Sequence, residues 1–341
     1  MSDNLRSLIQ AITTDASYAQ ADMKQAFAEI MSGEVSPTQI AAFLIALKMR
    51  GETPSDIAAG ASILREMAAK ITAPEKAMDI VGTGGDGIGT YNISTATAFV
   101  VAGCGITVAK HGNRAVSSKS GAADVLTSLG VNLDCDFAYL EQALQEANIC
   151  FLMAPRHHAA MRHVGPVRAE LGTRTIFNLL GPLSNPALVD RIMVGVYDRQ
   201  WLEPFAHALH ELGTKHAWVV HGADGLDEIT TTAISYITSL NHGEIKSFEL
   251  NPEDYGIPLV ALDDLKGGTG EENAVSLRAI LEQSDSASPA YRDVVLLNVA
   301  CALVAGGHET DIATALDRAR TSIETGAALA SLDKLVQITN Q

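Results

Sequence analysis

The chain has 341 residues, 47% hydrophobic and 19% charged, which is ample for one large core or two smaller ones and excludes a disordered chain. Its net charge of −16, from 24 basic and 40 acidic residues, argues against nucleic acid as a partner, because phosphate contacts need a basic footprint. No stretch approaches the about 20 apolar residues of a membrane span, and the opening MSDNLRSLIQ lacks the basic and apolar regions of a secretion signal, so the expectation is a cytoplasmic protein that meets no membrane.

Residues 1–70 read as helical. Leu5, Leu8, Ile9 and Ile12 recur at helical spacing, as do Met23, Phe27, Ile30 and Met31. Ser36-Pro37 and Thr53-Pro54 each pair a capping hydroxyl with proline at the first helical position. The helix that starts at Pro37 is apolar on nearly every side, which predicts burial or a subunit interface there.

From residue 76 the pattern becomes strand, loop, helix. MDIV, ITVAK (106–110), ICFLMAP (149–155), RIMVGVY and HAWVVHG are expected strands, with helices over STATAFVVAG, AADVLTSLG and FAYLEQALQEA. Ser94 or Thr95 is the expected cap of the first of these helices. Residues 156–186 interrupt the alternation with two helical patches and are expected to rejoin the N-terminal helices. AISYITSL and EIKSFEL form a hairpin about Asn241-His242-Gly243, and helices over 271–283, 289–305 and 309–325 close the chain. The fold class is therefore α/β: a small all-helical N-terminal domain (1–72, joined by 163–186) and a larger domain (73–162 and 187–341) with a mainly parallel central sheet.

Four groups of residues carry chemistry. The first is DIVGTGGDGIGTYNIS (79–94), in which five glycines fall within eight positions. Glycines so spaced weaken regular structure but let backbone N–H groups surround an anion. Gly82, Gly84 and Gly87 also fit a dinucleotide fingerprint, but the helix starts too late and residues 100–109 hold no acid for a ribose. A Walker loop is excluded, since no Gly-Lys-Ser/Thr follows. A pyrophosphate or phosphorylated sugar remains, with Asn92, Ser94 and Thr95 adding neutral donors at a helix start.

The second group, Lys110-His111-Gly112-Asn113-Arg114 continuing to Ser117, Ser118 and Lys119, follows a strand and so shares the sheet edge where open α/β sheets bind ligands. Its cations and hydroxyls suit several phosphate oxygens; His111 reads equally as structural or proton-carrying. The third, residues 156–174, holds four arginines and three histidines against one acid, and Arg168 and Arg174 are candidates to grip a carboxylate. The fourth is Asp227-Glu228 beyond a strand, hard oxygen ligands suited to magnesium.

Taken together and in order, GTGGD (82–86), NIST (92–95), KHGN (110–113), SSKSG (117–121), the 162–186 segment RHV-x-PVR-x-ELG-x-RTIFNLLGPL-x-NP and HG-x-DGLDE (221–228) closely resemble the anthranilate phosphoribosyltransferase family. The resemblance runs from about residue 5 to about residue 335 and includes the SPTQIAAFL helix (36–44). Single motifs are shared with the pyrimidine nucleoside phosphorylases, a rival reading that phosphorolysis of thymidine or uridine would distinguish. A nucleic-acid-binding relative of the same fold is the other rival, and the charge speaks against it.

The resemblance implies a nucleoside phosphorylase/phosphoribosyltransferase-like fold, dimerisation through the helical domain, and transfer of the phosphoribosyl group of 5-phosphoribosyl 1-pyrophosphate (PRPP) to anthranilate with magnesium, in tryptophan biosynthesis. It implies that Gly82, Gly85, Asp86, Thr90, Asn92, Ile93, Ser94, Thr95, Lys110, His111, Gly112, Asn113, Arg114, Ala115, Val116, Ser117, Ser118 and Ala122 hold PRPP. Gly82, Asn113 and Arg168 would contact anthranilate, and Ser94, Asp227 and Glu228 would organise Mg²⁺. Two positions depart from the common pattern: Ala122 stands where many members have serine, and Ala159 where proline is common. No obligatory catalytic acid or base is implied.

Overall fold

The computed structural model describes residues 3–115 and 119–341. Four helices come first: α1 (Asp3–Thr13), α2 (Gln20–Ser32), α3 (Pro37–Arg50) and α4 (Pro54–Met67). Ser36 Oγ accepts the Gln39 N–H and Thr53 Oγ1 that of Asp56, so the two Ser/Thr-Pro pairs start α3 and α4 as expected.

The alternating region gives β1 (Asp79–Gly82), α5 (Ile93–Gly103), β2 (Val108–Gly112), α6 (Ala122–Ser128), α7 (Phe137–Glu146) and β3 (Ile149–Met153). Short helices α8 (Ala154–His157), α9 (Gly165–Leu171) and α10 (Phe177–Leu180) follow, then β4 (Arg191–Gly195), α11 (Leu202–Glu211) and β5 (His216–Gly222). The hairpin β6 (Ser235–Asn241) and β7 (Glu244–Leu250) turns at His242 and Gly243, whose φ angles of 47° and 90° follow the right-handed twist of the strands. Helices α12 (Gly270–Leu281), α13 (Pro289–Ala305), α14 (Ile312–Glu324) and α15 (Ala327–Thr339) end the chain.

Five strands run in the order β1-β4-β5-β6-β7, and β2 pairs in parallel with β3. A parallel bridge from Met78 to Val108 joins the two sets, so the parallel part reads β3-β2-β1-β4-β5. The chain winds outward from β1 in both directions. The crevice at the carboxyl end of β1 is thus the topological switch point, where sheets of this class take ligands.

The parallel strands β1 to β5 are buried on both faces, as such strands must be when helices cover each side, while β7 at the antiparallel edge is largely exposed. Ile80, Met193, Trp218 and Val220 point into a core with α5, α7 and α12 to α15. Val81, Ile192, Val194, Ala217 and Val219 point into a second core that holds α11 and helices α1 to α4. Val164, Val167, Ile176, Phe177, Leu180 and Leu183 lie in that second core beside α1–α4.

Candidate active site

The glycine loop leaves β1 at this switch point. Thr83 N–H donates to Gly195 O (2.9 Å), carrying the strand pairing one residue into the loop. Gly84 and Gly85 then adopt φ of 65° and 80°, two successive left-handed residues that turn the backbone sharply. Asp86 Oδ1 accepts the Ile88 N–H (3.1 Å), which gives this acid a structural task inside an anion loop. On the far side Gly267 N–H donates to Gly89 O (3.0 Å), Tyr91 N–H donates to Leu265 O (3.0 Å), and Thr90 bridges to Lys266.

Asp227 and Glu228 stand against this loop. Asp227 Oδ2 accepts the Gly84 N–H at 2.7 Å and lies where a Cβ on Gly82 would meet it at 2.5 Å. A Cβ on Gly195 would fall 1.5 Å from Asp227 O, so the ends of β1 and β4 must both be glycine for this segment to cross them. Glu228 Oε1 accepts the Ser94 N–H (3.1 Å) at the start of α5. Neither Ser94 nor Thr95 caps that helix with its own side chain: α5 begins at Ile93, and the Glu228 carboxylate takes the cap's place, where the helix dipole favours negative charge. Ser94 Oγ accepts Lys110 Nζ (3.2 Å), whose ammonium also donates to Ile80 O.

Burial, and for Asp227 the facing Asp86, pushes the Asp227 carboxyl well above its ordinary range. Glu228 rises for the same reasons, burial first and Asp227 second, with Lys110 opposing. Two carboxylates crowded out of water and repelling one another are what a divalent cation relieves. Among the described residues no trio of His, Cys, Asp and Glu closes on one point. Asp227, Glu228 and the Ser94 hydroxyl thus form a partial oxygen set, the kind magnesium completes with phosphate oxygens and water, so these residues fit the ion.

Lys110 is buried, and burial pulls its pKa down while Asp79, Glu228 and Asp227 pull it up. Its ammonium sits between Ile80 O and Ser94 Oγ, where its charge opposes those of the carboxylates. Asp79, also buried, is raised to about 6 by burial, against the opposing charge of Lys110. Asn185 ties this layer together, donating to Asp79 Oδ2 and Ala109 O (2.8 Å each), while His111 N–H donates to Asp79 Oδ1 (3.1 Å). The Asn-Pro of the 162–186 segment therefore serves as the floor of the site. Neither Asp79 nor Asn185 is among the site residues expected from the sequence.

The second loop is closed by Asp124, also missed. Its Oδ2 accepts the N–H groups of Ala115 (3.0 Å) and Gly121 (2.9 Å), and Arg114 pairs with Oδ1 at 3.3 Å. Arg114 and Asn113 are exposed, and Asn113 Oδ1 accepts the Arg114 N–H (2.8 Å). Val116, Ser117 and Ser118 lie outside the described residues. The ring of His111 is buried edge-on to His158 (5.2 Å), and burial drives its pKa to about 3, so it is neutral near pH 7. Gly112 lies under the ring of Phe151, and the Ala122 methyl packs beside it. Ile93 and Thr95 are buried, the Thr95 hydroxyl without a partner. Asn92 accepts Ser120 Oγ (3.0 Å) and Asn273 Nδ2 (2.8 Å), joining the start of α5 to the second loop and to α12.

The arginine segment divides its two candidates. Arg168, on α9, is half-buried with its guanidinium 5.7 Å from the Phe177 ring centre, and burial lowers its pKa. It pairs with no carboxylate among the described residues, which leaves a planar donor fork available to an anionic ligand. Arg174 is already engaged. It donates to Gly85 O and lies 4.1 Å over the Tyr197 ring, so it grips the glycine loop and not a carboxylate.

The chain has relatives along its whole length. Residues 74–329 match the model of the glycosyl transferase family α/β domain, and residues 6–68 that of the family's helical bundle domain. It is similar to the anthranilate phosphoribosyltransferase of Chelativorans sp. strain BNC1, 52% identical over 338 residues and 99% of each chain. The enzyme of the same name from Rhodospirillum rubrum is 52% identical over 98% of this chain and 96% of its own. The crystal structure of the Thermus thermophilus enzyme matches with a TM-score of 0.92 at 39% identity, covering 98% of this chain and 99% of that one. The Saccharomyces cerevisiae enzyme in complex with PRPP and Mg matches at 0.90 and 27% identity, over 100% and 99% of the two chains. A glycine loop at the switch point, a carboxylate pair packed against it and an arginine on α9 without a carboxylate partner among the described residues thus occur in a chain that belongs to the anthranilate phosphoribosyltransferase family.

Proposed function

We propose that the chain transfers the 5-phosphoribosyl group of PRPP to the amine of anthranilate, giving N-(5-phosphoribosyl)anthranilate and pyrophosphate, in tryptophan biosynthesis. The observation that carries this reading is the packing of Asp227 onto Gly82 and Gly84, which sets a magnesium-type carboxylate pair directly on a phosphate-type loop. In the reaction the anthranilate nitrogen bonds to C1 of the ribose as the bond from C1 to the pyrophosphate oxygen breaks, and the proton the nitrogen then sheds passes to the departing pyrophosphate or to water. Magnesium held at Ser94, Asp227 and Glu228 would supply Lewis-acid neutralisation of the leaving group.

The remaining work falls to the protein. The loop over Gly82, Gly85, Asp86 and Thr90, the 92–95 turn and the segment from Lys110 to Ser118 with Ala122 hold PRPP in this reading. Arg168 takes the anthranilate carboxylate in bidentate fashion, with Gly82 and Asn113 beside the ring. An aromatic amine is neutral and nucleophilic near pH 7, so positioning and charge stabilisation suffice, and no obligatory general base is assigned. His111, neutral and buried against His158, is consistent with that.

Two finer readings belong to the same proposal. The chain divides into a helical domain (1–72 with 163–186) and an α/β domain; the separate domain matches of residues 6–68 and 74–329 support the division, and the packing of residues 164–183 beside α1–α4 supports their joining the helices. It forms a homodimer through the helical domain, supported by the outer face of α3, where Met49 is 83% exposed and Ala42 is exposed. Light scattering of wild type and Met49→Glu tests the dimer, and a monomeric wild type would reject it. Mixing the protein with anthranilate, PRPP and magnesium, and following anthranilate fluorescence alongside pyrophosphate release, tests the activity. Magnesium-dependent loss of one with gain of the other is expected; no change in either would overturn the reading.

A further inference from the structure

Arg174 occupies a position that the reaction scheme above does not use. Helix α9, which carries Arg168, ends at Gly172 in a left-handed residue (φ 57°) whose N–H returns to Arg168 O at 3.2 Å. The chain then passes Thr173, whose hydroxyl accepts Lys48 Nζ from α3, and reaches Arg174. The Arg174 guanidinium crosses to the glycine loop and donates to Gly85 O with its face on Tyr197. Tyr197 is itself fixed to the loop's base, its N–H donating to Thr83 Oγ1 at 3.0 Å. A Cβ on Gly85 would lie 3.4 Å from the Arg174 guanidinium, so the contact is a close one.

We infer that Arg174 is a positioning residue that couples the two substrate subsites, so that a carboxylate bound at Arg168 strengthens the binding of PRPP at the glycine loop. This rests on the subsites assigned under the proposed function. A carboxylate on Arg168 immobilises α9 and the turn that ends it; Arg174 passes that ordering to the carbonyl of Gly85, in the left-handed turn that the proposed function assigns to PRPP. Because coupling between sites is reciprocal, PRPP strengthens carboxylate binding by the same factor. A planar guanidinium stacked on a ring and hydrogen-bonded at its edge suits this role better than a flexible ammonium.

Calorimetry of PRPP with magnesium, with and without benzoate as a carboxylate that carries no amine, reads the coupling without turnover. In wild type benzoate should tighten PRPP binding by about fivefold or more. In Arg174→Ala the gain should disappear while PRPP still binds, and hydrogen exchange of residues 82–91 should rise in the ligand-free protein. Arg174→Lys, which keeps a donor but loses the stacked plane, should retain part of the gain; it also serves if Arg174→Ala folds poorly. An undiminished benzoate effect in both variants, or none in wild type, overturns the inference and leaves the transferase reading intact. Failure of wild type to bind PRPP at all would remove both.

Discussion

The Asp227 carboxylate occupies the space in which a Cβ on Gly82 would lie, 2.5 Å from Oδ2. The glycine therefore admits the metal-type carboxylate at the strand end, where the proposed function places a phosphate. Gly82→Ala should displace Asp227 and lower kcat/KM by about 100-fold, since a shift of order 1 Å at a reacting centre has that effect. The stability cost of overpacking should be about 1–3 kcal/mol. Steady-state kinetics with a magnesium titration and a thermal melt would check this, and unchanged magnesium dependence would count against the shared role.

Asp124 should matter to PRPP and little to anthranilate. It closes the second loop by accepting from Ala115 and Gly121. Burial alone would raise its pKa, but these two N–H groups and Arg114 outweigh it and hold the carboxyl low. Asp124→Ala removes the clasp, and at about 1–2 kcal/mol for a partly exposed charge-assisted pair the PRPP KM should rise about 5- to 30-fold. Equal rises in both KM values would show a global effect instead.

Arg168 gives the converse prediction. Its guanidinium is half-buried and unpaired among the described residues, so a carboxylate ligand gains a charge-assisted fork there. Arg168→Ala should raise the anthranilate KM about 10- to 100-fold and the PRPP KM far less. Arg168→Lys should fall between, because an ammonium cannot present the same fork. Matched effects on both substrates would reject the assignment.

Much of this was legible in the chain. Strands buried on both faces are continuous apolar runs such as HAWVVHG and RIMVGV, and two residues with positive φ mark the hairpin at His242-Gly243. The glycine loop, the Asp-Glu pair and the arginine cluster announce their chemistry by residue type. What supports them does not, because a lone polar residue looks the same in sequence whether solvated or buried. Asp79 and Asn185 meet across 106 positions, and Asn92 and Asn273 across 181. Arg168 and Arg174 look equivalent by spacing, and only the return at Gly172 aims the second at Gly85. Helix α15 was not expected either: the last expected helix ended at residue 325, and Gly326 is the left-handed residue that starts one more.

Magnesium should stabilise the protein more at high pH than at low. Burial raises Asp227 and Glu228, so the folded, metal-free chain binds protons more tightly there than the unfolded chain does. Stability from this source is complete at low pH and is lost as pH rises from the ordinary carboxylate range through the raised values. Magnesium binds only the ionised forms, so its contribution runs the other way and grows as the carboxyls lose their protons. Thermal melts with and without magnesium at about pH 6 and about pH 8.5 should show the larger Tm increment at the higher value. In Asp227→Asn the increment should shrink at both, and most at the higher pH, because the amide neither titrates nor attracts the ion. A magnesium increment in wild type that is equal at the two pH values would place the ion away from this carboxylate pair.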